Sequence, residues 1–454
     1  MKLASILRAS IATTGLLALA ACGGGGGDDS GSTTPPPGSS TYQIGGSVSG
    51  LSTTGLVLAN GSSTVSIASG ASSFNFANAV AGGTSYNVTV QSQPAGQTCR
   101  VDNGSGTVGS SNVTNIAVTC RAYVALVSMI GTNTLQQFLL GSSGALTAMN
   151  PLSLNTGEEP RDIVVTPNGR FAYTANADSH TISQFAVGAD GKLTALATAS
   201  VSTDLNPVDL AVSPDGRTLY SVNLRANNVR QFRIGADGQL TDMSPARANT
   251  GSSPAAIAVR PNGQHAYVVN FESGTITVYD VGANGELTPR TNTVEVGSGT
   301  GPRGMAMSPD GNRLYVALQN ANAVAAFSIG ADGALTALGN VGTGAATAQP
   351  WGVTVTPDNK FVYVSNFANN SVSQYSVGAN GALTLLSPAT VATGGATPYG
   401  LSVSPDGRWL YAASLGAPGA RVTQYTIGTN GTLAAPVFTD VLPNVASPWS
   451  ILVF

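Results

Sequence analysis

Charge is what this sequence has least of. Only 9% of its 454 residues are Asp, Glu, Lys or Arg, against roughly 25% in an average soluble protein. The balance is 19 − 22 = −3 with no basic block, so nucleic acid is not an expected partner. Histidine is nearly missing as well: His180 and His265 are the only two, too few for a histidine-rich metal centre. No Cys-x-x-Cys pair, HExxH helix, GxSxG elbow or P-loop occurs, so neither metal nor cofactor is expected. The apolar run at 11–20 is too short to cross a bilayer.

What the chain has in abundance is glycine, 56 residues, and a repeat. The stretch 206–241, NPVDLAVSPDGRTLYSVNLRANNVRQFRIGADGQLT, returns with small changes to the C-terminus. Its copies open on Pro160, Pro207, Pro254, Pro302, Pro350, Pro398 and Pro448, at spacings of 47, 47, 48, 48, 48 and 50 residues. Such a period, filled with short apolar runs and turn signals, predicts four-stranded antiparallel units closed radially into a β-propeller. Each copy has a first strand such as Ile163-Val164-Val165, then a turn such as Ser213-Pro214-Asp215-Gly216, where Pro presets φ and Asp and Gly suit a tight reversal. Second strands carry Tyr173, Tyr220, Tyr267, Tyr315, Tyr363 and Tyr411. A second turn, Gly235-Ala236-Asp237-Gly238 and its equivalents, is placed at the rim. Three of six copies have Asn for Asp, which favours a structural turn over a calcium loop.

The stretch 123–149 supplies a second, third and fourth strand without a first, while Pro448-Trp449-Ser450-Ile451-Leu452-Val453-Phe454 is a first strand with nothing after it. Joined, they make a seventh blade closed by the C-terminal strand. The expected fold is therefore all-β: a seven-bladed propeller over 122–454, preceded at 42–121 by a small Ig-like β-sandwich of short alternating strands.

Lys2 and Arg8 before the apolar run have the layout of a secretory signal over 1–21. Leu19-Ala20-Ala21-Cys22 resembles a bacterial lipoprotein lipobox, which implies lipidation of Cys22. Residues 22–41 then form a flexible Gly/Ser/Pro tether. The resemblance places the protein in the bacterial cell envelope, lipid-anchored, with the outer membrane favoured because Gly23 is not Asp. With Cys22 modified, Cys99 and Cys120 remain and are expected to pair.

Tyr173-Thr174-Ala175-Asn176, Tyr220-Ser221-Val222-Asn223, Tyr267-Val268-Val269-Asn270 and Tyr363-Val364-Ser365-Asn366 resemble the YVTN propeller repeat. The array is similar to the seven-bladed lactonase family, which includes 6-phosphogluconolactonase-like and carboxymuconate cyclase-like proteins. That resemblance implies an Arg-His pair entering a first strand, a Glu after the next second strand, an Arg after a Ser-Asn dipeptide, and a His one blade earlier. Here Gly301-Pro302-Arg303 keeps the Arg, but Gly304, Gln319, Phe367 and Ala255-Ala256 stand at the other positions.

The loops leading into first strands share one face with the loops between second and third strands. On that face lie Glu158, Glu159, Arg161, Asp162, Asp178, His180, Asp209, Arg225, Glu272 and Arg303, with Trp351, Tyr399 and Trp449. Ligand contacts are assigned to Arg161, Asp162, Asp209, Arg225, Arg303, Trp351, Tyr399 and Trp449, and His180, Arg303, Glu272 and Arg161 are the candidates for catalysis. His265, at the start of a second strand, is read as a surface or packing residue. The copies disagree most one residue after each proline: Arg161, Val208, Ala255, Arg303, Trp351, Tyr399 and Trp449. The expectation is a monomeric, anchored propeller that binds a small molecule, glycan or envelope protein without catalysis. The alternative is hydrolysis of an extracytoplasmic lactone.

Overall fold

The computed structural model describes residues 40–416, 421–440 and 447–454. Every regular element among the described residues is a β-strand. The expected signal sequence, Cys22 and most of the expected tether lie outside the described residues.

Seven antiparallel sheets follow the repeat. Blade one runs Pro160–Val165, Phe171–Asn176, Thr181–Val187 and Leu193–Ser202, and blades two to six keep this order. The seventh joins the ends of the array: Pro448–Val453 pairs antiparallel with Val124–Met129, followed by Thr134–Leu140 and Leu146–Asn155. Second strands such as Phe171–Asn176 and Thr218–Asn223 are buried at every position, because neighbouring blades cover both faces. That explains their continuous apolar runs where a one-sided sheet would alternate.

The repeated polar residues tie blades together. Tyr173, Tyr220, Tyr267, Tyr363 and Tyr411 donate their hydroxyls to the carbonyls of Gly238, Gly285, Gly333, Gly431 and Gly144, each in the next blade, at 2.6–2.8 Å. Burial pushes these phenols up, so they remain protonated donors. The Gly-Ala-Asp-Gly turns are therefore docking points rather than free rim loops. Asp237 Oδ1 accepts the Gln239 N–H inside its own turn, and no group of metal-ligating side chains occurs among the described residues. Inside blades one and three, Asn176 donates to Thr181 and Ser183, and Asn270 to Thr275 and Thr277, fastening the second strand to the third. The conserved-looking Asn of the repeat is structural.

The amino-terminal module has two four-stranded sheets on one core that contains Leu56, Leu58, Phe74, Phe76, Ile116 and Val118. Cys99 and Cys120 face each other across Gln97–Asp102 and Val113–Ala122 and form a disulfide. Its last strand ends at Ala122 and the propeller begins at Val124. The module touches the turn face of the propeller: Arg100 Nη1 donates to the Asn168 carbonyl at 3.2 Å, and the Arg121 guanidinium lies 4.5 Å from the Phe454 ring centre.

Candidate functional site

First strands line the propeller axis, so the variable residue after each proline points into one shared space. A cavity of roughly 320 Å³ opens there, lined by Arg161, Val208, Ala255, Arg303, Trp351, Tyr399 and Trp449 together with the residues that follow them. Seven of the eight assigned ligand contacts line it: Arg161, Asp162, Asp209, Arg303, Trp351, Tyr399 and Trp449. Arg225 does not; it is exposed beside Leu224, which does line the cavity.

Two catalytic candidates also fall outside. Glu272 is exposed in a loop between a second and third strand. His180 sits in the corresponding loop of blade one at φ 55°, its Nδ1 2.8 Å from the Ala177 carbonyl and 3.2 Å from the Asn206 amide nitrogen. It ties two loops together rather than facing the cavity. These loops start from second strands, one strand further from the axis, so their tips stand outside the inner ring. His265 is buried as a packing residue, with Nδ1 3.3 Å from Asp280; burial and the charge of Arg290 lower its pKa.

One side of the mouth is aromatic. Tyr399 and Trp449 stack with centroids 3.9 Å apart, Trp351 meets Tyr399 edge-on at 4.8 Å, and Phe367 lies 5.3 Å from Tyr399. The two arginines are set into this wall. The Arg303 guanidinium is 3.9 Å from the Phe271 ring centre and 4.4 Å from Trp351, and its Nε donates to Gln319 Oε1 at 2.9 Å. Burial and the nearby Arg161 lower its pKa to about 10, which leaves it cationic at neutral pH. Arg161 lies 4.7 Å from the Trp449 ring centre and pairs with Glu159 at 2.7 Å, while its buried Nε has no hydrogen-bond partner.

The next ring down differs between the two sides. Beneath the aromatics stand Gly304, Gly352 and Gly400, where a Cβ would collide with the Trp351 carbonyl, the Tyr399 carbonyl and the Ser450 backbone respectively. The glycines let three inner strands approach closely and bring their aromatic residues into contact. At the same level on the other side are Asp162 and Asp209. Asp162 Oδ2 accepts the Leu210 N–H at 3.1 Å, and Asp209 Oδ2 accepts the Ile257 N–H at 2.7 Å, each reaching the next blade. The two carboxyls are close enough for each to shift the titration of the other. Burial raises Asp162 to about 7, and burial with the charge of Asp162 raises Asp209 well above the usual carboxylate range. Such a pair retains a proton near neutrality, as two close carboxylates must. The sequence placed both residues on this face, but it did not show them as a proton-sharing pair.

Of the positions implied by the lactonase resemblance, Arg303 and Gln319 meet in the structure and Phe367 joins the aromatic wall. Gly304 makes a close backbone approach. Arg161, Asp162 and Asp209 are polar groups of the same cavity.

None of the curated proteins matches the sequence. Among solved structures, a putative 6-phosphogluconolactonase from Bacteroides uniformis is similar at 20% identity and TM-score 0.63, covering 73% of this chain and 99% of its own. A periplasmic gluconolactonase from Pseudomonas aeruginosa is similar at 20% identity and TM-score 0.62, covering 73% and 98%. At such identity these likenesses establish the fold. The family model for lactonase, seven-bladed β-propeller, matches residues 89–206, 190–298 and 282–436. With the repeat, the closed ring and this match in agreement, the chain belongs to the seven-bladed β-propeller lactonase family.

Proposed function

We propose that the axial cavity binds a small anionic or polyhydroxylated lactone and hydrolyses it. The observation that carries this reading is the convergence of two arginines, an aromatic wall and a proton-sharing carboxyl pair on one cavity. Lactone opening needs a base for water and positive charge for the developing oxyanion. A carboxyl titrating at about 7 is a stronger base than an ordinary Asp, half ionised at pH 7 and mostly ionised at pH 8. Water attacks the carbonyl carbon and gives its proton to the Asp162–Asp209 pair. The ring C–O bond then breaks and the leaving oxygen takes the proton back, yielding the hydroxy acid. Arg161 and Arg303 supply the positive charge, and the half-buried Trp351 and Trp449 offer apolar ring surface to a sugar-like ring.

A second reading, binding without turnover, is favoured by one observation: the Arg303 guanidinium is already held between two rings and by Gln319. Turnover measured on lactones for wild type and Arg303→Ala separates the two. An envelope location, with a lipid on Cys22, is part of the proposal. It is supported by Leu19-Ala20-Ala21-Cys22, and the similar P. aeruginosa protein is described as periplasmic. Replacing Cys22 with Ser should move the protein from the membrane to the soluble fraction, and unchanged fractionation contradicts the anchor.

A further inference from the structure

The hairpin that carries the disulfide has a second face. Alternation along Gln97–Asp102 and Val113–Ala122 turns Cys99, Val118 and Cys120 into the sandwich core. Thr98, Arg100, Thr119 and Arg121 consequently share the opposite face, with Thr98 across from Arg121 and Arg100 across from Thr119. That face looks onto the Thr166-Pro167-Asn168-Gly169-Arg170 turn of blade one. A cleft of roughly 220 Å³ lies between them, lined by these four residues with Asn168 and Arg170.

Three arginines in one cleft stand out in a chain whose charged residues are only 9% of the total. Asp102 pairs with Arg100 at 3.3 Å, but among the described residues no carboxylate raises the pKa of Arg121. Burial and the charge of Arg100 instead lower that pKa to about 10. Arg121 Nη1 is buried with no hydrogen-bond partner. Nor is the side chain free to swing out. Its guanidinium stacks on Phe454, and a Cβ on Gly169 would come within 2.7 Å of Nη2. A fixed guanidinium with one buried, unpartnered nitrogen is costly to a fold, and an oxyanion in the cleft offsets that cost by accepting N–H groups of the same guanidinium.

We propose that this cleft is a binding site for a phosphate-type oxyanion, free or carried on a small molecule, held by Arg121, Arg100 and Arg170 with the Thr98 and Thr119 hydroxyls. It is independent of the axial cavity and bridges the two modules. The pocket is walled by both modules, which suits a discrete small anion better than a flat membrane surface.

The test is calorimetric titration of inorganic phosphate at low ionic strength into the full chain carrying Arg161→Gln and Arg303→Gln, so that the axial arginines contribute nothing. Saturable binding at one site is expected, with chloride at matched ionic strength giving none. Arg121→Gln should weaken it at least tenfold, and Arg170→Gln, at an exposed position, severalfold. Should Arg121→Gln fail to fold by circular dichroism, the Arg170→Gln result decides. No saturable heat, or heat unchanged in these variants, overturns the site. Binding to phosphatidylglycerol vesicles without binding to free phosphate also overturns it, in favour of a membrane contact.

Discussion

Asp162 and Asp209 are held by the fold in a protonation state that ordinary carboxylates do not keep. Between the usual value of 3.8 and about 7, the folded chain retains a proton that the unfolded chain has lost. Stability therefore falls as pH rises through that window, and the full cost is present above it. Asp162→Asn keeps an acceptor for the Leu210 N–H and removes the buried charge. By urea denaturation it should be more stable than wild type at pH 8, by about 1 to 2 kcal/mol once solvent access through the mouth is allowed for. The difference should vanish near pH 4; an equal difference at both pH values refutes the proton-sharing pair. Trp351→Ala removes a half-buried ring from the wall and should weaken any cyclic ligand about tenfold with little change in melting temperature, read by titration and a thermal melt. At this scale the sequence was informative about which positions vary, since Arg161, Arg303 and Trp351 break the repeat. It was silent about depth: nothing in the string separates Asp209, on the cavity wall, from exposed Arg225.

The strands and turns are the most regular part of the molecule, and their regularity is interface chemistry. Tyr267→Phe deletes one hydroxyl and leaves the Gly333 carbonyl without its donor. It should cost about 1 kcal/mol in denaturant unfolding, and no loss contradicts the docking role given to these tyrosines. The Pro-Asp-Gly and Gly-Ala-Asp-Gly turns were legible because Pro, Asp and Gly act locally on φ and on nearby N–H groups. The partners of those turns were not, because Tyr173 and Gly238 are 65 residues apart and meet only when blades stack. The same reasoning explains His180. Its type suggested a base, but its loop springs from a second strand, and its Nδ1 lies between the Ala177 carbonyl and the Asn206 N–H.

For the whole molecule, period counting was enough to close the ring, since an incomplete unit at each end of the array must be one blade. Removing 447–454 strips Pro448–Val453 from Val124–Met129 and exposes a sheet edge. The truncated chain should melt well below wild type and associate in solution, and an unchanged, monomeric melt contradicts the closure. The cleft between the modules could not be read in advance, because it depends on how two separately patterned bodies dock. In the proposed function the axial cavity opens lactones with Asp162 and Asp209 as the base. Its most direct test is a pH-stat assay of glucono-lactone and 6-phosphoglucono-lactone opening by wild type and folded Asp162→Asn. Acceleration over the spontaneous rate should rise through pH 7, the value to which Asp162 is raised, and level off about one pH unit higher, with a loss of about a hundredfold in the variant. No acceleration on either lactone, or undiminished turnover in Asp162→Asn, would contradict it.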